Sequence, residues 1–187
     1  MYEASDLRKN LKIQIDGEPY VVTDFQFVKP GKGQALYRCK LKNMITGSQF
    51  ERTFRSVDSF DEADLQEKKM QYLYSEENKY CFMDNETFEQ VYLTAGQVAE
   101  AADFMVENVD VDILFFGDKP LGITLPNFVD LTVTKADPWV KGDTAAGNAK
   151  PVVVETGYQL QAPPFVEEGE KIRIDTRTGQ YVTRIKD

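Results

Sequence analysis

The sequence predicts an all-β protein built from small barrels. Short runs rich in β-branched and aromatic residues recur along the chain, separated by turn pairs such as Asp16-Gly17, Pro30-Gly31 and Thr46-Gly47. Strands at this spacing are typical of barrels, whereas a βαβ sheet would place a long helix between strands. The predicted strands are 11–15, 19–27, 35–41, 49–54, 70–74, 79–84, 88–93, 111–116, 128–134, 151–154, 158–162, 171–175 and 181–185.

One segment predicts a helix. Thr94 and Gln97 have the spacing of a capping box, in which each side chain bonds the other residue's backbone N–H. The apolar residues that follow recur at helical spacing and are Val98, Ala101, Ala102, Met105 and Val106. We expect this helix to cover a barrel as a lid rather than to form a groove for a partner.

Charge is distributed unevenly along the chain. Residues 1–62 carry 10 Lys and Arg against 9 Asp and Glu, residues 63–126 carry 4 against 13, and residues 127–187 carry 8 against 9. The excess negative charge therefore lies in the middle third. These shifts predict three domains, 1–62, 63–126 and 127–187, each near the lower size limit for an independent core.

The composition excludes several classes of enzyme. The chain has no His, the commonest general base and metal ligand, so triads and metal sites that need one are excluded. The glycine-rich segment 142–147 lacks the Lys that a phosphate loop requires. We expect no catalytic residue and no metal site. Cys39 and Cys81 are predicted to be buried thiols rather than a disulfide.

The address predicted by default is cytoplasmic. No apolar run approaches the roughly 18–20 residues of a membrane helix, and the N-terminal residues lack the basic start and apolar stretch of a signal peptide.

The segment Lys29-Pro30-Gly31-Lys32-Gly33-Gln34 joins two predicted strands. Proline presets a turn and glycine permits positive φ, so Lys32 should lie at the apex of an exposed hairpin with small neighbours. On these residues alone, a solubilising turn lysine is the favoured explanation. The surrounding residues 29–55 hold seven Lys and Arg against Glu51 alone, which predicts contacts with phosphate groups.

Several short motifs follow one another along the whole chain. They are Asp16-Gly17-Glu18-Pro19-Tyr20, Phe27-Val28-Lys29-Pro30-Gly31-Lys32-Gly33-Gln34-Ala35, Thr53-Phe54-Arg55-Ser56, Tyr72-Leu73-Tyr74, Phe82-Met83-Asp84-Asn85-Glu86-Thr87-Phe88-Glu89-Gln90, Pro126-Asn127-Phe128-Val129, Lys141-Gly142-Asp143-Thr144 and Asp175-Thr176-Arg177-Thr178-Gly179-Gln180-Tyr181-Val182-Thr183-Arg184. In this order they resemble the elongation factor P family, which is homologous to the archaeal and eukaryotic initiation factor five-A. In the family's C-terminal signature, Val152 stands where Ala is expected and Ala162 stands where Val is expected.

The resemblance implies a translation-protein SH3-like barrel followed by two OB-folds, in an L shape like transfer RNA. It implies a translation factor that binds the ribosome between the peptidyl and exit sites and relieves stalling at consecutive prolines. The implied partners are the ribosome, through its RNA and proteins, and peptidyl-tRNA. We expect a monomer with no membrane partner.

The resemblance also implies roles for particular residues. Lys32 would face the acceptor end of the peptidyl-tRNA, on the tip loop formed by Lys29, Pro30, Gly31, Gly33 and Gln34. In the family this lysine often carries a modification. The Lys-Pro-Gly-Lys-Gly form resembles the subgroup that carries a β-lysyl extension, added by an enzyme resembling lysyl-tRNA synthetase. A bare lysine stays an alternative, and no other cofactor is implied.

Further RNA contacts are predicted elsewhere. The candidates are Arg38, Lys40, Lys42, Gly142, Asp143, Thr144, Tyr181 and Arg184. A simple turn explains Gly142-Asp143-Thr144 equally well, and alternation along a strand explains Tyr181 and Arg184 equally well. For Asp84 to Gln90 a strand–turn–strand is preferred over a binding role.

Two other classes of function, a nucleic-acid-binding protein and an enzyme, fit the sequence less well. A general single-strand nucleic-acid-binding OB-fold protein would interleave aromatic and basic residues. The acidic middle third lacks that pattern. An enzyme is the remoter alternative, because the residues of the common mechanisms are missing.

Overall fold

The structure, a computed structural model, describes residues 1–138 and 149–186. They form three sheets joined by short turns, which confirms the predicted all-β fold. The chain packs as two units, Met1–Gln66 with Phe115–Leu121, and Glu67–Leu114 with Gly122–Asp187. Among the described residues, no helix is both long and apolar enough to cross a membrane.

The first sheet has six strands around a small apolar core. Asp16 and Gly17 both have positive φ, +52° and +81°, and close the tight turn between the second and third strands. Ile13, Val22, Cys39 and Leu41 are fully buried in its core. In pairing order the strands are β1 (Tyr2–Glu3), β6 (Ser59–Glu62), β2 (Lys12–Ile15), β3 (Glu18–Val28), β4 (Leu36–Asn43) and β5 (Gln49–Arg55).

The second and third sheets have five strands each. The second has the order β11 (Lys119–Thr124), β10 (Asp110–Phe116), β7 (Leu65–Glu76), β8 (Lys79–Asp84) and β9 (Gln90–Thr94). The third has the order β14 (Gln159–Ala162), β13 (Lys150–Val154), β12 (Phe128–Ala136), β15 (Lys171–Asp175) and β16 (Gln180–Ile185). The chain leaves the first sheet after Glu62 and enters the third at Phe128. The domain boundaries at residues 62 and 126 stay predictions.

Three strands escape prediction from the sequence. Strand β1 has two residues, too few to show an alternating pattern, and β6 has only one apolar residue, Phe60, among its four. Strand β11 contains Pro120 and Gly122, which signal a turn when the sequence is considered alone. Because β11 lies at an edge of its sheet, proline's missing N–H is tolerated there.

The predicted helix is wrong beyond its first turn. The capping box is present, with the Gln97 N–H donating to Thr94 Oγ1 at 3.3 Å and the Thr94 N–H to Gln97 Oε1 at 2.9 Å. The α-helix α1 spans only Ala95–Val98. Ala99 has φ of +49°, which interrupts the helix, and the chain continues as a 3-10 helix over Ala99–Phe104. A short 3-10 turn also spans Ala4–Asp6.

The 3-10 segment packs against the core of the third sheet. Phe104 is buried in that core, with its ring centroid 4.8 Å from the ring of Tyr158. The Thr156 hydroxyl donates to the Asp103 carbonyl at 2.6 Å, and the Tyr158 hydroxyl donates to the Gly179 carbonyl at 3.1 Å. Two side chains of the third sheet therefore hold the end of the 3-10 segment and the turn before β16 in one cluster.

Gly179→Ala should destabilise the protein more than Gly157→Ala. Both glycines have positive φ, +71° and +85°, so each alanine costs about 1–2 kcal/mol of backbone strain. A methyl at Gly179 would also overlap the Tyr158 hydroxyl oxygen, whereas one at Gly157 meets no atom within 4 Å. Urea unfolding measures both losses of free energy. In a Tyr158→Phe background the difference between the two losses should shrink, with the ring carbon Cζ still 3.3 Å from the added methyl. Equal losses in the wild-type background would show that the Tyr158 contact has no effect.

Candidate functional site

The connection between β3 and β4 holds Lys32 at its midpoint. Strand pairing continues as far as Val28 opposite Leu36, so residues 29–35 form the loop beyond the last paired residues. The side chains from Lys29 to Gln34 are exposed. The loop therefore extends from the arm formed by β3 and β4, where β4 also pairs with β5 as far as Leu36 opposite Arg55, and its lysine lies at the far end.

Gly31 and Gly33 flank Lys32, and the structure explains only one of the two glycines. Gly33 has φ of +135°, a conformation that side chains rarely adopt, so the loop backbone itself requires glycine there. Gly31 has an ordinary φ, and a methyl group on it would meet no atom within 4 Å. Nothing within the described residues requires Gly31 to be small.

Arg38, Lys40 and Lys42 form a basic face on β4. They alternate with the buried residues Cys39 and Leu41, so all three side chains lie on the outer face of the sheet. Lys40 lies between acidic residues on both neighbouring strands. It is opposite Asp24 and opposite Glu51, and its Nζ is 3.7 Å from Glu51 Oε1.

The other two cations of the basic face have uncharged neighbours. Arg38 is opposite Gln26 and Thr53, and Lys42 is opposite Val21 and Gln49. Arg38 and Lys42 are therefore more available to an anionic partner than Lys40.

The opposite side of the same arm carries an aromatic row, Phe25, Tyr37 and Phe27. The Tyr37 ring centroid is 6.1 Å from that of Phe25 and 5.2 Å from that of Phe27. Sequence reasoning assigned no role to these residues. The alternation of Phe25 and Phe27 along β3 is visible in the sequence and indicates that the two rings share a face. Their contact with Tyr37 depends on the register between strands, which the sequence does not show.

The predicted buried thiols are confirmed. Cys39 and Cys81 are both buried and free. Burial and, to a smaller extent, the nearby Asp24 carboxylate raise the pKa of the Cys39 thiol to about 11. The thiol is therefore protonated and unreactive at neutral pH.

The segment from Asp84 to Gln90 forms the predicted strand–turn–strand. Asp84 Oδ1 accepts the Glu86 and Thr87 N–H groups at 2.8 and 3.2 Å. These two backbone hydrogen bonds lower the pKa of the Asp84 carboxyl, and the bond from Glu86 has the larger effect. The carboxylate is thus used within the turn itself.

Tyr181 and Arg184 lie on β16 and already have partners. Tyr181 packs half-buried against the core of the third sheet, and burial raises its pKa. Arg184 Nη1 donates to Glu170 Oε1 at 2.9 Å, and its Cζ lies 5.2 Å from the centroid of the Phe165 ring. An RNA contact by Arg184 would have to compete with this ion pair. Gly142, Asp143 and Thr144 lie outside the described residues.

Lys32, its tip loop and the basic face therefore belong to one hairpin of the first sheet. Tyr181 and Arg184 belong to the third sheet. This arrangement gives the hairpin three distinct surfaces: an exposed lysine tip, a cationic outer side and an aromatic inner side.

Models of three domains match successive parts of the chain. The Elongation factor P (EF-P) KOW-like domain matches residues 3–60, the Elongation factor P (EF-P) OB domain matches residues 65–123, and Elongation factor P, C-terminal matches residues 129–184. Together they cover all three sheets.

Similar proteins match the whole length of the chain. Elongation factor P from Syntrophus aciditrophicus is 72% identical over 186 residues, and that from Desulfotalea psychrophila is 61% identical over 186 residues. Each match covers 100% of both chains. The solved eukaryotic translation initiation factor 5A from Methanococcus jannaschii shares the fold, with a TM-score of 0.55 and 20% identity over 66% of this chain and 93% of that chain. The chain therefore belongs to the bacterial elongation factor P family of translation factors.

Proposed function

We propose that this protein binds the ribosome between the peptidyl and exit sites and speeds peptide-bond formation at consecutive prolines. The observation that carries the proposal is Lys32, at the midpoint of an exposed loop whose neighbours Gly31 and Gly33 have no side chains. The partners would be ribosomal RNA and proteins and the peptidyl-tRNA. Because ribosomes work in the cytoplasm, we propose a cytoplasmic location for this activity. We also propose that the protein acts as a monomer.

Lys32 would act by positioning rather than by proton transfer. A prolyl nucleophile is constrained, so holding the acceptor end of the peptidyl-tRNA in a reactive geometry lowers the entropic part of the barrier. An ammonium on a flexible stem is a compact charge that fits between phosphate groups. The exposed tip leaves this ammonium available, and a small residue at Gly31 allows backbone and RNA to approach closely.

Charge argues against a general single-strand RNA-binding role. Residues 63–126 hold 13 Asp and Glu against 4 Lys and Arg, which would repel a strand that crossed this domain. Titration with unstructured RNA at several salt concentrations distinguishes the two functions. Binding to any single strand would support the general role, whereas binding that requires ribosomes with peptidyl-tRNA supports the proposal.

Lys32→Ala should abolish the stimulation of proline–proline synthesis and leave the fold intact. Because Lys32 is exposed, its truncation should change the free energy of unfolding by less than roughly 0.5 kcal/mol. A translation assay on a polyproline template measures the activity. Lys9→Ala removes one exposed cation outside the hairpin and is the matched control, which should stay active. Full activity of Lys32→Ala would disprove the role of this lysine.

Arg38 and Lys42 should supply more phosphate contacts than Lys40. Replacing both with Gln should flatten the dependence of ribosome affinity on salt by roughly one to two units of slope on a double-logarithmic plot. Lys40→Gln should leave the slope nearly unchanged, because Lys40 is paired with Glu51. Equilibrium binding at several salt concentrations provides the slopes. An unchanged slope in the double variant would argue against phosphate contacts by this face.

We further propose that Lys32 carries a covalent extension ending in an amine, added by an enzyme resembling lysyl-tRNA synthetase. A lysine stem spans only about 6 Å, since its chain holds four methylenes, so an added unit lets the amine reach deeper. Such an enzyme needs an exposed amine among small neighbours, and Lys32 is flanked by glycine on both sides. Peptide mapping of protein from its native host should find one modified lysine, Lys32. An unmodified Lys32 at full occupancy, in protein that relieves proline stalls, would show that the bare side chain suffices.

A further inference from the structure

The aromatic row ends in a ring that the protein core does not cover. Phe25 and Tyr37 are half-buried against the core of the first sheet. Phe27, at the outer end of the row, is 49% exposed, and Val28 beside it is 36% exposed. Half of a large apolar ring thus faces solvent directly before the Lys32 loop, and a partner that covered it would gain burial free energy.

The charges around the row favour an anionic partner. Arg52 lies opposite Cys39 on the inner face, with its Cζ 5.5 Å from the centroid of the Phe54 ring, and Lys29 follows Val28 directly. The only acidic residues between positions 24 and 55 are Asp24 and Glu51. Both are opposite Lys40 and therefore lie on the outer face. The inner face thus carries exposed aromatic area and Arg52, which lines a cavity together with Asp58 and Asp61, and Lys29 follows the row as the first residue of the loop.

An exposed aromatic ring beside cations is the pattern by which proteins bind unpaired nucleotides. A base stacks on the ring because every base has a π face, and Lys or Arg contacts the adjacent phosphates. An acidic protein segment would use the cations but would leave the ring face without a stacking partner. Among anionic partners, single-stranded RNA fits both features.

We propose that Phe27, flanked by Tyr37 on the neighbouring strand, is a stacking platform for an unpaired nucleotide at the acceptor end of the peptidyl-tRNA. Lys29 and Arg52 would contact the phosphates beside that nucleotide. Phe27 precedes Lys32 by five residues, a span of at most about 17 Å, so one RNA end can reach both. This inference rests on the proposed function, because it assumes that the tip loop meets peptidyl-tRNA.

The first test compares two ribosome preparations. Phe27→Leu keeps an apolar side chain and removes the flat ring, and it should weaken binding to ribosomes that carry peptidyl-tRNA by roughly 5- to 50-fold. Its affinity for ribosomes without tRNA should stay within about two-fold of the wild-type value, since no base stacks there. Phe27→Trp keeps a stacking ring and should retain wild-type affinity for both.

Phe88→Leu is the matched control. Phe88 is 70% exposed in the acidic middle domain, and its substitution should leave both affinities unchanged. Equal weakening of Phe27→Leu on both preparations would overturn the proposal in favour of ribosomal RNA or protein as the contact. Wild-type affinity of Phe27→Leu on both would overturn it as well. Failure of the wild-type protein to distinguish the two preparations would instead contradict the proposed function.

Crosslinking identifies the partner directly. With p-benzoylphenylalanine at position 27, irradiation of the ribosome complex should attach the protein to the 3′ end of the peptidyl-tRNA. The same group at position 88 should give no tRNA adduct. Attachment of position 27 mainly to ribosomal RNA or to a ribosomal protein would overturn the proposal.

Discussion

The candidate site depends on the antiparallel pairing of β3 with β4. Pairing begins at Tyr20 opposite Asn43, in the body of the first sheet, and continues to Val28 opposite Leu36 at the edge of the loop. One end of this ladder is anchored by the buried Val22 and Leu41. Side chains alternate across a strand, and the pairing shifts register between Val22 and Asp24. Together these two features place cations on the outer face, aromatic rings on the inner face and Lys32 at the free end.

A second constraint acts on the unit that contains the middle and last parts of the chain. Phe104 enters the core of the third sheet, the Thr156 hydroxyl donates to the Asp103 carbonyl, and the Tyr158 hydroxyl donates to the Gly179 carbonyl. These contacts involve residues far apart in the sequence and explain why Ala99 can leave the helical conformation. Burial of the Phe104 ring, five residues later, offsets the backbone strain of the positive φ at Ala99.

Local patterns in the sequence predicted much of the fold and the tip of the site. Runs rich in β-branched and aromatic residues located thirteen of the strands, and the turn pair Asp16-Gly17 adopts the positive φ angles that such a turn needs. The Thr94–Gln97 capping box and the exposed Lys32 loop are also as predicted. These features depend on residues only a few positions apart, so their physical causes are visible in the sequence.

The sequence by itself determined the all-β class, the turns and the exposed lysine tip. The tertiary structure decided which side chains share a face. Glu51 forms an ion pair with Lys40, Glu170 forms one with Arg184, and the Tyr37 ring centroid lies 5.2 Å from the Phe27 ring centroid, although none of these partners is close in sequence. The physical reason is that strand register and sheet closure bring distant residues together, and a shift of one residue would move each side chain to the other face.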